Sequence, residues 1–366
     1  SKYSWYDAMP YEYGRYHENA LGEYNYNFMQ PENGENPVDT FFANFNWGKS
    51  EVDYSISTAK WIHRNPYDVL AGLELQKGGS YKTNVDWNAI LDEHGKLRLS
   101  LGLYAPDTIT GLGKTGEGYH THEDLFWTGF QGDPTKGKPA DQSWYGMSNL
   151  VVDKTPITSE DFNTSFNTGH GKHWFVDGKI SKEGEWNYRS VSGYLPTWRW
   201  WVEHSEDSAP LKGRYDFDQA YNGGNSLAFE GDLKANSSQN VMLYSTKIPV
   251  TEKTKLSVSH KGGVGAAAWV AVATKEDYSE YEWKELTPSA DWSTQTFDLG
   301  SLAGKTIYAV KMFFDHDTDV KDYKFNLGQL SITSNQEKPA TPAEVTVRAK
   351  RLQNAQEAEA EIGRAH

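Results

Sequence analysis

Val69-Leu70-Ala71-Gly72-Leu73-Glu74-Leu75 is apolar throughout except for Glu74. A run of this length reads as a strand buried on both faces, as in a parallel sheet. Three similar runs accompany it: Tyr3–Ala8, Thr40–Asn46 and Leu99–Tyr104. Helix-like stretches lie between them. Ala20, Leu21, Tyr24 and Phe28 fall on one helical face, and so do Val52, Ile56 and Ala59. Ser50 suits the N-cap of the second stretch, with Asp53 three residues on, and Pro66 should stop it. Val85, Ile90 and Leu91 mark a shorter helix, closed near Gly95. The strand starts recur at roughly 30 to 36 residues, the period of a βαβ unit. Residues 1 to about 110 therefore read as four β/α units, the C-terminal half of a (β/α)8 TIM barrel. A half barrel leaves open edges and a bare apolar face, which predicts that an N-terminal half precedes this chain.

Residues 112–205 are rich in Gly, Trp and His and lack clean periodicity. They are expected to hold the last barrel segment and connecting structure. From about Tyr215 the texture changes to short alternating strands: Ser226–Glu230, Val241–Lys247, Lys255–His260, Ala267–Ala273, Thr294–Leu299, Ile307–Phe314 and Phe325–Thr333. Such spacing, with turn signals between, predicts a β-sandwich. The fold class is thus α/β plus all-β. The domains are read as 1–175 for the half barrel and its connection, and 176–335 for the sandwich. Residues 336–366 read as a linker and the start of a third domain, opened by Val345-Thr346-Val347.

The net charge is −14, which argues against nucleic acid and anionic membranes as partners. No apolar run approaches the roughly 18 residues of a membrane span. There is no Cys, which excludes disulfides, thiolate metal sites and thiol catalysis. Trp, Tyr and Phe make up 14% of the chain. Core filling accounts for many of them. Flat rings also stack on the C–H faces of pyranoses.

In a barrel of this kind, function gathers at the C-terminal strand ends. Those ends carry Tyr6-Asp7, Asn44 to Trp47, Glu74 and Tyr104-Ala105-Pro106-Asp107. Acids and amides beside aromatic platforms suit a glycan. A buried barrel Tyr or a solvated carboxylate is the competing reading for each.

Trp5-Tyr6-Asp7-Ala8-Met9 resembles a strand of the endo-β-N-acetylglucosaminidases of glycoside hydrolase family 85. In the same order, Glu18-Asn19-Ala20-Leu21, Phe41 to Trp47, Tyr67 to Gly72 and Leu101 to Tyr104 resemble family blocks. So do Asn163 to Gly171 and Leu195 to Trp201, and the resemblance covers roughly residues 3–335. It implies cleavage of the GlcNAc-β1,4-GlcNAc core of N-linked glycans with retention. The substrate's own N-acetyl oxygen would be the nucleophile, giving an oxazolinium ion. A Glu serves as acid and then base, and an Asn two residues earlier orients the acetamide. That Asn-x-Glu pair belongs on the strand before Trp5-Tyr6-Asp7. The local matches Asn33-Gly34-Glu35 and Asn335-Gln336-Glu337 stand elsewhere. The fragment alone is therefore expected to be inactive. The resemblance gives Tyr6 an assisting catalytic role at the −1 sugar. Asp7, Asn44, Trp47, Glu74 and Tyr104 become substrate-binding candidates, and His17 replaces a Trp found in several relatives. A secreted or cell-surface location of bacterial type is expected, although the family's location can also be cytoplasmic.

Other signals are weaker. His120, His122 and Glu123 match no standard metal-ligand spacing and read as solvated loop. Asp315, Asp317, Asp319 and Asp322 imitate the start of a calcium loop, but Val320 and Asn326 occupy positions that need Gly and Glu. A looser structural calcium site in the sandwich stays open; otherwise no cofactor is expected. Gly223-Gly224-Asn225-Ser226-Leu227 gives the sandwich a turn like those of carbohydrate-binding modules. Three rivals remain. A non-catalytic glycan-binding surface protein would lack an upstream Asn-x-Glu. A chitinase-type barrel would need an acidic run ending in Glu, and none is present. A purely structural surface protein would bind no glycan.

Overall fold

A computed structural model describes residues 3–6, 19–113, 116–151 and 154–334. Its first part is a parallel sheet of β1 (Ser4–Tyr6), β2 (Thr40–Ala43), β3 (Val69–Glu74) and β4 (Ser100–Tyr104), in that order. The register pairs Trp5 with Phe41, Phe41 with Val69, and Ala71 with Leu101. Alternation sorts the side chains onto two faces. Phe41, Ala43, Val69, Ala71 and Leu73 are buried on one face. Phe41, Ala43 and Val69 pack there with Val52 and Ala59 of α1 (Lys49–Trp61). The other face carries Tyr6, Phe42, Leu70, Gly72, Gly102 and Tyr104. It stays partly open, with Tyr6 47% and Tyr104 46% exposed. The Phe42 ring lies across this face over two glycines; an added Cβ would meet it at 2.7 Å on Gly72 and 2.4 Å on Gly102.

The helices depart from the sequence reading in instructive ways. The N-cap of α1 is Gly48, not Ser50: Glu51 Oε2 accepts from the Gly48 amide at 2.9 Å. Ser50 instead donates to Glu51. The helix ends at Trp61, ahead of Pro66, because His63 turns left-handed (φ 61°) and brings Arg64 inward. The buried guanidinium then donates to the carbonyls of Met29, Val38 and Asp39 at 2.9, 3.0 and 2.6 Å. The stretch from Ala20 to Phe28 is not a continuous helix but turns and one 3₁₀ turn, Tyr26–Phe28. Asn25 competes with the helix there, accepting from Gly22 N and donating to Ala20 O. Short α2 (Leu75–Gly78) and α3 (Trp87–Ile90) follow, then α4 (Gly116–Thr128). α3 stops at Leu91 rather than near Gly95, since Leu91 bridges back to Leu97.

The rest is β-structure. β5 (Asp161–Thr164) is followed by a hairpin of β6 (His170–Val176) and β7 (Lys179–Asn187), then β8 (Trp201–His204) and β9 (Lys212–Asp216). Next come β10 (Ser226–Leu233), β11 (Ser237–Pro249), β12 (Lys255–Gly262) and β13 (Ala267–Ala273). β14 (Tyr281–Leu286), β15 (Ser289–Asp298), β16 (Thr306–His316) and β17 (Val320–Thr333) complete it. One sheet runs β15-β12-β17-β10-β9, with β5 also paired to β17; the other runs β14-β13-β16-β11-β8. Between them lies a core that includes Phe162, Leu227, Phe229, Val241, Leu256, Val270, Met312, Phe314 and Phe325. The seven strands read from the sequence are all present. β5, which precedes residue 176, is a member of the first sheet. Residues from 335 onward, including Asn335-Gln336-Glu337 and Val345-Thr346-Val347, lie outside the described residues. No helix among the described residues is long and apolar enough to cross a membrane.

Candidate functional site

The C-terminal ends of β1 to β4 sit at one edge of the parallel sheet, as parallel pairing in register requires. Rings connect them. Tyr6 meets Phe42 edge-on with centroids 5.7 Å apart, Phe42 meets Phe45 at 6.2 Å, and Phe45 meets Tyr104 at 5.2 Å. Tyr6 and Tyr104 thus stand at opposite ends of one aromatic chain, on the open face. Glu74 pairs in register with Tyr104. Asn44 follows β2 directly, and its Oδ1 is buried without a hydrogen-bond partner. An orphaned acceptor at a strand end is a place for a ligand hydroxyl or amide to donate.

Two of the sequence-selected residues also have structural work. Trp47 Nε1 donates to the Gly72 carbonyl at 2.8 Å, and its ring packs against both apolar clusters that share the buried face of β3. Glu74 Oε1 accepts from the amides of Gln76 and Lys77 at 3.1 and 3.3 Å, so it caps α2. Asp7 and His17 lie outside the described residues. Phe42 was not singled out as a site residue, and Phe45 entered only within the stretch Asn44 to Trp47. The signal for Phe42 was parity: it shares the face of Tyr6 in the register.

A second constellation lies where α4 meets the sandwich. His120, His122 and Glu123 are not a solvated loop but part of α4, with His120 buried. His120 Nδ1 lies 3.0 Å from Glu123 Oε2, and its Nε2 lies 3.0 Å from His170 Nε2. Two neutral rings satisfy both contacts when His170 donates to His120 and His120 donates to Glu123. Arg199 reaches Glu123 at 2.6 Å and donates to Tyr215 Oη at 2.7 Å. Trp200 Nε1 donates to Asp124 at 2.6 Å. Burial works against the Glu123 charge, but the His120 hydrogen bond and Arg199 outweigh it and hold its pKa at about 2. Asp124 goes the other way: burial lifts it to about 6, and Arg199 and Trp200 offset this only in part. Burial, with His120 beside it, lowers His170 to about 4. His122 is held separately by Tyr81 Oη at 2.8 Å. A cleft of about 510 Å³ opens beside Asp124, with Leu125, Phe130, Trp200 and His204 in its wall. None of Tyr6, Asn44, Trp47, Glu74 and Tyr104 lines it.

The two later blocks of the family resemblance are therefore joints. Asn225 Oδ1 accepts from the amide and hydroxyl of Thr168, and its Nδ2 donates to the Phe166 carbonyl. Arg199 and Trp200 join the sandwich to α4. Among the aspartates near β17, Asp319 accepts from the Ala235 amide and Asp315 from the His316 amide. Among the described residues, no group of three or more His, Asp or Glu side chains is placed to hold a metal ion.

The sequence profile of glycosyl hydrolase family 85 matches residues 1–174. A cytosolic endo-β-N-acetylglucosaminidase from Danio rerio is 25% identical over 276 residues, 74% of this chain and 34% of that protein. Cytosolic endo-β-N-acetylglucosaminidase 1 from Arabidopsis thaliana is 23% identical over 68% of this chain and 32% of its own length. The chain thus spans about a third of these relatives. The glycoside hydrolase domain of Endo-D from Streptococcus pneumoniae R6, a crystal structure, is 64% identical. It superposes with a TM-score of 0.90 over 98% of this chain and 57% of that one. Through residues 1–174, this chain belongs to glycosyl hydrolase family 85.

Proposed function

We propose that the protein containing this chain is an endo-β-N-acetylglucosaminidase that cuts the GlcNAc-β1,4-GlcNAc core of N-linked glycans. The parallel sheet is then the C-terminal half of its TIM barrel, and the ends of β1 to β4 form part of the sugar-holding mouth. The observation that carries this is the ring chain from Tyr6 to Tyr104 along those strand ends, with the bare Asn44 acceptor beside it. The one open face of the sheet fits a barrel interior completed by other strands. The reaction proposed is retaining. The acetamide oxygen of the −1 sugar attacks C1 as the C1–O4 bond breaks, and a Glu gives its proton to the departing O4. Water then adds to C1 with the same carboxylate as base.

The required Asn-x-Glu is not supplied by Asn33-Gly34-Glu35. Asn33 and Gly34 have φ of 53° and 83° and form an exposed turn closed by Glu32 and Glu35. The acid and the acetamide-orienting Asn are placed on a strand outside these 366 residues, so the chain alone should not cleave glycans. Tyr6 assists at the acetamide or oxazoline; Asp7, Asn44, Trp47, Glu74 and Tyr104 contact or frame the sugar. A secreted or cell-surface location is proposed, and fractionation of the producing cells tests it against the cytosol. The activity test is release of high-mannose or trimmed N-glycans from a glycoprotein by the full-length protein. Tyr6→Phe should change the rate or the ratio of transfer to hydrolysis. Kinetics unchanged by Tyr6→Ala would remove Tyr6 from the site, and absence of any release would leave the glycan-binding rival.

A further inference from the structure

The outer face of the β14-β13-β16-β11-β8 sheet carries side chains that the sandwich core does not use. In antiparallel pairs, residues directly opposite share a face. The register therefore sets Trp201, Met242, Lys311, Ala271 and Trp283 in one row across the sheet. Glu203, Asn240, Phe313, Trp269 and Glu285 form the next row. The residues alternating with them, Val202, Val241, Met312 and Val270, belong to the core. Both rows thus face away from it.

Lys311 is the unusual member. It is only 7% exposed, and its ammonium lies 3.8 Å from the Tyr281 ring centroid and 4.6 Å from that of Trp283. Ala271, between Lys311 and Trp283, has no bulk to separate them. Among the described residues, no carboxylate or other acceptor hydrogen-bonds this ammonium. Trp201 Nε1 and Asn240 Oδ1 are also buried without hydrogen-bond partners. One donor and one acceptor are thus buried bare within two adjacent rows, each an expensive omission unless something fills it, and the Lys311 ammonium beside them has ring faces but no hydrogen-bond acceptor.

The chemistry of the occupant follows. An apolar partner would leave all three groups unsatisfied. An anion would meet one buried cation flanked by Glu203 and Glu285 on the same face. A neutral sugar fits: its hydroxyls both donate and accept, and its C–H face stacks on an indole. Trp283 is 39% exposed and offers that platform. The row from β8 to β14 covers four inter-strand steps, roughly 19 Å, the reach of a short oligosaccharide rather than one ring.

We propose that this face binds a neutral hexose-containing oligosaccharide, with Trp283 as platform, Lys311 and Trp201 as donors, and Asn240 as acceptor. The site is separate from the strand ends of the parallel sheet and does not rest on the function proposed for them. The test is calorimetric titration of the whole chain with neutral trisaccharides of mannose, glucose, galactose or N-acetylglucosamine. Sialyllactose serves as the anionic control, and sedimentation follows self-association. At least one neutral trisaccharide should bind. Trp283→Ala and Lys311→Met should each weaken it about tenfold or more, whereas Trp61→Ala, an exposed tryptophan of α1, should not. Trp283→Ala removes an exposed ring, so it decides the matter should Lys311→Met fail to fold. Failure of every neutral trisaccharide to bind would overturn the proposal. So would binding unaffected by Trp283→Ala, binding of sialyllactose alone, or a dimer that Trp283→Ala dissolves in place of sugar binding.

Discussion

Trp47 illustrates how a side chain proposed to frame a ligand can also hold a strand end together. Its residue type and position suggested a sugar platform. Its indole N–H holds the Gly72 carbonyl, and its ring bridges two apolar clusters along the buried face of β3. Phe keeps most of the ring area but removes the donor, leaving a half-buried carbonyl unpaired. Trp47→Phe should therefore destabilise the chain by about 1–2 kcal/mol in urea unfolding. A platform that touched only glycan would give no change in stability. Glu74 carries the same lesson, since a carboxylate at a strand end is also a helix cap when a helix starts one residue later.

At the scale of elements, the parallel sheet depends on two glycines under one ring. A Cβ on Gly72 would lie 2.5 Å from the Ala43 carbonyl oxygen as well as 2.7 Å from Phe42. Backbone cannot yield without disturbing the β2–β3 pairing. The three atoms nearest a Cβ on Gly102 all belong to the Phe42 ring, the first at 2.4 Å, and that ring borders an open face. Gly72→Ala should thus cost about 1–3 kcal/mol and Gly102→Ala less, as measured by urea unfolding; the reverse order would contradict this packing. The four strands were legible as short, largely apolar runs recurring at the period of a βαβ unit. The seven sandwich strands were legible from alternation and turns. β7 was not, because all but one of its residues are exposed and no alternation marks it. α4 was missed because its meaning lies in partners far along the chain: His120 looks solvated until His170, Arg199 and Tyr215 are placed around it. The strand-end residues could be named from sequence, but the ring chain linking them and the bare Asn44 acceptor depend on register, which periodicity alone does not set.

For the molecule as a whole, the joint between α4 and the sandwich sets the response to pH. Arg199 is its anchor, and removing it strands the Glu123 charge in a buried place. Arg199→Met should cost about 3–5 kcal/mol, read from urea unfolding at pH 7. The histidines add a slope. Burial holds His120 and His170 below the usual imidazole value, His170 at about 4, so the folded state keeps them neutral where the unfolded chain takes up protons. Stability from this source is complete above about pH 6.5 and is lost as pH falls towards 4. Asp124 opposes it: with its pKa raised to about 6, the folded state binds that proton more readily, and stability is gained as pH falls from about 6 towards 4. Two histidines against one carboxylate leave a net loss on acidification. Glu123, held at about 2, adds a further loss below about pH 4.5. The melting temperature should therefore fall between pH 7 and 4.5. His170→Gln keeps a donor for His120 but cannot titrate, so it should flatten that fall, whereas Asp124→Asn should steepen it. If both variants follow the wild-type curve, the acid response originates elsewhere and the joint serves only as packing.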